Sequence, residues 1–211
     1  PIPQKRDNDD KLSQPNPDKP VVVKRKSRIV GEITNYKHQI TKSMKNKLPL
    51  KDIQIAGYFP GAIGKITELH ATYYSDQWGF DVSFETQVGR ELSEFMSRFQ
   101  ETRDGLWTCL VNQRFAGSAA IDGQLAESEG ARLRWFIVAP EFQDSGIGSA
   151  LLNRAVDFCR QVGYKSVFLW TFKGLDAARL LYERLGFRLA EDHLVDQWGN
   201  HITEQRFELT L

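Results

Sequence analysis

Val138-Ala-Pro-Glu-Phe-Gln143-Asp-Ser-Gly146-Ile-Gly148-Ser-Ala-Leu151-Leu152 is the stretch of this 211-residue chain in which residue type and spacing point most directly to chemistry. A strand-like run enters a short glycine-containing loop, and a helical pattern begins at once. The first backbone N–H groups of a helix have no internal partner, and the helix dipole adds partial positive charge there, so such a junction is an anion site. Gly146 and Gly148 let the backbone curl and approach a phosphate closely. Two glycines alone would equally suit a plain helix start. Two rival phosphate motifs are excluded: a dinucleotide fingerprint needs a third glycine where Leu151 stands, and a Walker A loop needs Gly-Lys-Ser/Thr. Other reactive side chains are sparse. Cys109 falls in a predicted strand and Cys159 on an apolar helix face, where both read as small core residues. His38, His70, His193 and His201 lack metal-ligand spacing, so no metal is expected, and His70 is expected at the surface.

The elements that must position this loop follow from periodicity. Asp52 to Tyr58 alternates like a strand, with Ile53 and Ile55 on one side. Ile66, Leu69 and Tyr73 mark a helix ending near Gly79, and Phe84, Val88, Leu92, Phe95 and Phe99 mark a second. Leu106–Val111 and Phe115–Ile121 are strands joined through Asn112-Gln113-Arg114, and Ala131–Val138 is a third. Ile147, Leu151, Ala155, Phe158 and Val162 form the stripe of the helix after the loop, stopped by Gly163. Val167–Phe172 is a nearly continuous apolar run, as in a strand buried on both faces. A short helix from Leu175 to Leu185 and a closing hairpin turning at Gly199-Asn200 complete the order.

Composition divides the chain in two. Hydrophobic residues make up 41% and charged residues 26%, which suits one globular domain with an extension. Residues 1–50 carry twelve Lys or Arg against five acids, whereas the remainder carries sixteen against twenty-two. Residues 1–20 hold five of the eight prolines and are expected to be a flexible tail. Ile29, Ile33, Tyr36, Ile40, Met44 and Leu48 then mark an amphipathic helix over 27–48, capped by Ser27 and stopped by Pro49. Its stripe is expected to dock on the domain or on a second subunit as a homodimer contact, with a solvated basic face; a nucleic-acid or acidic-membrane contact is the rival reading. No apolar run approaches the length of a membrane span, the first residues lack the pattern of a secretory signal, and the two cysteines form no CxxC pair, so a reduced, cytoplasmic protein is expected.

Gln143-x-x-Gly146-x-Gly148 resembles the Gln/Arg-x-x-Gly-x-Gly/Ala signature of the GCN5-related N-acetyltransferase (GNAT) superfamily. Leu133-Arg-Trp-Phe-Ile-Val-Ala-Pro140 matches its Val-x-Pro lead-in, and Ala178-Arg-Leu-Leu-Tyr182-Glu-Arg-Leu-Gly186-Phe187 its helix-to-strand segment. Trp78-Gly-Phe-Asp-x-Ser-Phe-Glu85 and Trp198-Gly199…Gln205 further resemble the acetyltransferase part of MarR-fused proteins, although about 50 residues leave no room for a complete MarR domain. The resemblance implies a mixed α/β fold over residues 51–211. Its central, mostly antiparallel twisted sheet of about seven strands is splayed in the middle and flanked by four helices, with the basic helix added in front.

It also implies acetyl-CoA as co-substrate. Backbone N–H groups from Gln143, Asp144, Ser145, Gly146, Ile147, Gly148 and Ser149 would hold the pyrophosphate, and the exposed backbone of Phe136, Ile137 and Val138 would pair with pantetheine. Tyr182 would protonate the leaving thiolate; a tyrosine packing under Leu181 and Leu185 is the plain structural alternative. The family's frequent Asn seven residues earlier is Leu175 here, and the central strand offers no carboxylate base, leaving ordered water or Glu85. Trp78, Phe80 and Trp198, with Tyr73, Tyr74 and His201, would either border an acceptor amine, which the sequence does not identify, or simply cover the core. For His70 on the first helix, facing that amine is the rival to its surface reading. The implied function is an acetyl-CoA-dependent N-acetyltransferase acting by direct attack of a primary amine; the alternative is a non-catalytic acyl-CoA sensor or regulatory partner module.

Overall fold

The computed structural model describes residues 53–211, so the extension and its expected helix at 27–48 lie outside the described residues. The chain runs β1 (Ile53–Ala56), α1 (Ala62–Trp78), α2 (Val82–Ser97), β2 (Gly105–Val111), β3 (Arg114–Asp122), β4 (Ala131–Val138) and a 3-10 turn (Pro140–Phe142). It continues through α3 (Ile147–Val162), β5 (Ser166–Phe172), α4 (Asp176–Arg184), β6 (Arg188–Gln197) and β7 (Asn200–Thr210). The seven strands form one sheet in the order β1-β2-β3-β4-β5-β7-β6. All neighbours are antiparallel except β4 and β5. This is the mixed fold expected, with four helices on a mostly antiparallel sheet.

α2 buries the stripe its sequence spacing marks, whereas α1 buries Ala62, Ile66 and His70 and leaves Leu69 and Tyr73 half-buried, and α3 buries Ile147, Leu151 and Ala155 but leaves Phe158 and Val162 half-buried. Phe84, Val88, Leu92 and Phe95 are the buried residues of α2, and Asp81 caps it by accepting from the Ser83 N–H at 2.9 Å. Gly79, left-handed at φ 70°, ends α1, and Gly163, at φ 86°, ends α3. Strand residues sort by parity onto two cores. Leu133, Leu169 and Phe207 join Leu151, Ala155 and Cys159 of α3, and Cys109 packs in the same cluster. Trp135, Phe172 and Ile202 join Ile66 of α1 and the stripe of α2.

Two features of β4 shape the middle of the sheet. Ser118 pairs with Ile137 and Ala120 with Arg134, so β4 carries one residue more than β3 across this stretch. The bulge centres on Trp135, at φ 45°, whose carbonyl accepts from buried Ser118 Oγ at 2.7 Å. Arg134 and Trp135 consequently share a face, with the guanidinium carbon 4.1 Å from the indole centroid. On its other edge β4 pairs with β5 only through Ala131, Arg132 and Leu133. Beyond Leu133 and Leu169 the two strands part, while β5 stays paired with β7 through Phe172.

The first hairpin turn is one residue shorter, and the last sits one residue earlier, than the sequence suggested. Arg114 is already in β3, opposite Val111, so the turn is Asn112 and Gln113 alone, at φ 49° and 63°. The last hairpin turns at Trp198 and Gly199, at φ 55° and 75°, with Asn200 already paired to Gln197. A two-residue turn of type I′ needs positive φ at both positions, which a tryptophan does not advertise. Tertiary contact holds it there: the Trp198 ring packs 5.0 Å from Phe80 and 5.1 Å from Phe84, and its Nε1–H donates to Gln87 Oε1 at 2.8 Å.

Candidate active site

The loop before α3 forms a cradle with little side-chain help. Asp144 and Gly146 are left-handed, at φ 58° and 86°, which curls the backbone into the helix start. The first bond inside the turn runs from Ala150 N to Gly146 O, so the amides of Ile147, Gly148 and Ser149 have no acceptor within α3. Gln143 and Ser145 tie the loop down: Gln143 Nε2 donates to Val138 O at 3.2 Å, and Ser145 Oγ donates to Phe142 O. The two glycines differ in role. A Cβ on Gly146 would meet nothing within 4 Å, whereas one on Gly148 would lie 3.1 Å from Leu181 Cδ1 and 3.5 Å from Phe136 Cζ. Gly146 faces open space; Gly148 lets α3 approach β4 and α4.

Where β4 and β5 part, a cleft passes through the sheet. Its lining comes from both cores, with Leu133, Leu169 and Tyr182 from one and Phe84, Trp135 and Phe172 from the other. Tyr182 is buried, its ring 5.9 Å from Phe136 and 6.0 Å from Phe207. Burial, and then the nearby Tyr74, push its titration far above that of an ordinary phenol, so the hydroxyl keeps its proton. Tyr74, across the sheet on α1, is raised by burial and then by Tyr73.

His70 is buried in the cleft wall rather than at the surface. Its Nδ1 lies 2.8 Å from Ile66 O, one helical turn back. Burial lowers its pKa to about 4, against which that hydrogen bond works. The ring is therefore neutral near pH 7, with Nδ1–H donating and Nε2 left as an acceptor.

The charged lining is mostly spent on itself. Trp198 Nε1 donates to Gln87 Oε1, Gln87 Nε2 donates to Glu91 Oε1 at 2.8 Å, and Glu91 pairs with Arg134. Arg134 also meets Asp122 at 3.2 Å, and Asp122 accepts from both terminal nitrogens of Arg98, at 3.1 and 2.6 Å. Burial alone would raise the Asp122 carboxyl. Hydrogen bonds from Arg98 and the Gln124 amide, with the charges of Arg98 and Arg134, hold it below the usual range. Glu204 of β7 lies 3.4 Å from His193 Nε2, and burial raises its carboxyl despite His193 and Arg132.

Among the expected site residues, the structure places Phe136 and Tyr182 on the cleft and Ile137 and Val138 on the freed end of β4. Trp198 lines the cleft. Trp78 and Phe80 stand behind it: Trp78 packs 4.8 Å from Phe172 and Phe80 5.3 Å from Phe172. Glu85 is exposed in the first turn of α2 and is not part of the lining. Cleft residues that the sequence reading did not single out are Gln87, Glu91, Arg132, Arg134, Trp170 and Glu204. Two arginines alternating within an apolar run, on a strand placed centrally in the order, are a visible sign of a polar cleft. Both thiols are buried and raised by that burial, Cys159 to about 12. Among the described residues no group of three His, Cys, Asp or Glu side chains is placed to hold a metal, and no helix is long and apolar enough to cross a membrane.

Comparison with known proteins agrees with this architecture. An uncharacterized N-acetyltransferase of Methanocaldococcus jannaschii is 29% identical over 130 residues, which cover 60% of this chain and 57% of that protein. A probable N-acetyltransferase, camello, of Xenopus tropicalis is 35% identical over 82 residues, 39% of this chain and 37% of that one. The chain thus spans little more than half of the first relative and less of the second. Among solved structures, a putative acetyltransferase from Salmonella typhimurium, determined with its cofactor acetyl-CoA, superposes with a TM-score of 0.62. It is 17% identical and the match covers 76% of this chain and 94% of that one, a likeness of fold. The pattern of the Acetyltransferase (GNAT) family matches residues 64–187, and the chain belongs to that family.

Proposed function

We propose that this chain transfers an acetyl group from acetyl-CoA to a primary amine by direct attack of the neutral amine. The observation that carries this reading is the cleft through the sheet, with an anion cradle beside one mouth and a buried, protonated Tyr182 within it. The residues present fit the co-substrate. The amides of Ile147, Gly148 and Ser149 would take pyrophosphate oxygens over the open face of Gly146. The edge of β4 from Phe136 to Val138, released from β5, would pair with the amide-bearing pantetheine arm. Bound there, acetyl-CoA supplies an acetyl group already activated as a thioester.

The chain's own groups then handle protons and developing charge. The Val138 N–H would polarise the carbonyl, and the Tyr182 hydroxyl would donate to the departing thiolate. An ammonium must lose a proton before it can attack. Glu204, half-buried in the cleft, is better placed to receive it than exposed Glu85, directly or through water. Likeness to the acetyltransferase part of MarR-fused proteins remains part of this reading through Trp78-Gly-Phe-Asp and Trp198-Gly199, which meet in the structure where Asp81 N donates to Trp198 O at 3.0 Å. A reduced, cytoplasmic setting is part of it too, from the two buried free cysteines.

Acetyl-CoA turnover against a panel of primary amines, with calorimetric titration of acetyl-CoA, tests the reading. Free CoA should appear with at least one amine. Tight cofactor binding without turnover of any amine would leave the sensor reading in its place.

A further inference from the structure

Three arginines stand on or beside the α2 face of the sheet at the cleft, and they are not equivalent. Arg134 pairs with Glu91 and Asp122, and Arg206 with Glu191 at 3.5 Å and Glu208 at 2.9 Å. Arg132 lines the cleft half-buried and has neither ion pair nor hydrogen bond among the described residues. A guanidinium presents five donors, and none of those on Arg132 is both fully buried and unpartnered, so they are open to an acceptor that enters the cleft. The carboxylates that Arg132 feels, Glu91, Asp122 and Glu204, act at a distance, and the first two already hold other arginines. Burial first, and then Arg134, disfavour its charge. An incoming anion would complete this position.

That anion is not the cofactor's phosphate. Ala131 and Leu133, on either side of Arg132, pack in the core that contains α3, so Arg132 points to the opposite face from the cradle. Glu204 lines the same cleft and makes no ion pair with Arg132. Between them the wall is aromatic, with Trp135, Trp170 and Phe172.

We infer that the acceptor is an amine that also carries a carboxylate, an amino acid or a close derivative, with the carboxylate on Arg132 of β4 and the ammonium turned toward Glu204 of β7. One unpaired guanidinium matches a monoanion, and its planar fork matches a carboxylate through two parallel hydrogen bonds. A phosphate dianion would leave one charge uncompensated. The inference rests on the transferase reading above for the fate of the amine, and on Arg132 alone for the carboxylate.

The test uses the full chain and matched pairs: L-phenylalanine against phenethylamine and L-phenylalanine methyl ester, and 4-aminobutyrate against butylamine. At least one carboxylate-bearing member should be favoured in kcat/KM by roughly 10- to 100-fold, the range of a hydrogen-bonded charge pair. R132Q should erase that ratio and R132K retain part of it, with thermal midpoints of both variants measured to verify folding. A binding arm is independent of turnover: N-acetyl-L-phenylalanine against N-acetylphenethylamine, followed by tryptophan fluorescence, since Trp135, Trp170 and Trp198 line the cleft. Turnover without any carboxylate preference overturns the anchor and leaves the transferase. An Arg132-dependent preference in binding without turnover keeps the anchor and overturns the transferase. A preference that survives in R132Q, or no preference in either arm, overturns the anchor.

Discussion

On the α3 side of the sheet, the proposed anion cradle is seven consecutive residues, Gln143 to Ser149, which offer backbone amides while the Gln143 and Ser145 side chains tie the loop down. On the α2 side, the cleft takes its polar groups from α1, α2, β4, β5, β7 and the Trp198 turn, one or two side chains each. The first region is local in sequence and tolerant of side chain, provided that Gly146 and Gly148 keep their space. The second is non-local and depends on a hydrogen-bonded chain that ends in two arginines and Asp122. On the proposed function, cofactor capture would be written into one short segment, whereas acceptor choice would be distributed over the fold.

The sharpest way to break this contrast is to cut the acceptor-side network. Asp122→Asn removes the carboxylate between Arg98 and Arg134; Arg134 keeps Glu91 and Arg98 is partly solvated, so the loss is that of charge-assisted hydrogen bonds, about 1–3 kcal/mol. Urea unfolding at pH 7 should show that loss, and an unchanged midpoint would mean the network does not carry the region. The pH dependence has a definite sign. A carboxyl held low in the folded state stabilises above its unfolded value and loses that contribution as pH falls through the folded value. Wild type should therefore lose stability below the ordinary carboxylate range more steeply than the Asn variant.

Tyr182→Phe keeps the ring packing against Phe136 and Phe207 but removes the proton. Turnover should fall by roughly 100-fold, the lower range for a lost proton donor, with little change in acetyl-CoA affinity by calorimetry. Equal turnover would reduce Tyr182 to a core residue. Ser149→Glu probes the cradle without disturbing Gly148, where any side chain would first meet Leu181. A carboxylate in the first turn suits the helix dipole, so the fold should be at least as stable. The same charge at the mouth of the cradle should weaken acetyl-CoA binding by roughly 10- to 100-fold through repulsion of the pyrophosphate. Retained affinity in this variant would move the phosphate site elsewhere. The smallest effect belongs to Glu85→Gln, which should leave turnover unchanged while Glu204→Gln lowers it; the reverse result would restore the exposed glutamate as the base.

The same contrast explains what could be read in advance. Element order and the α2 stripe depend on near neighbours, and Phe84, Val88, Leu92 and Phe95 are buried as their spacing requires. Cys109 and Cys159 went to the core for the same reason. His70 is buried because it stands one turn beyond Ile66 on the same stripe, a place that its polarity hides in the sequence. Glu91, Arg132 and Glu204 lie on three elements that meet only when α2, β4 and β7 converge, and no local period announces that meeting. Trp198 illustrates a further limit. A bulky residue at positive φ contradicts turn chemistry, and only the distant Phe80, Phe84 and Gln87 make it stable.

Trp135 makes β4 one residue longer than its partner, and in a strand the two faces are assigned by counting. Phe136 and Val138 pack toward the α3 core only because that extra residue precedes them. Deleting a single residue there would exchange inside for outside along the whole outer end of the strand: the freed edge would keep its letters and present them to the wrong side. Descendants of this sequence can therefore drift in composition at positions 134–138 one contact at a time, but a change in the count re-addresses every position at once.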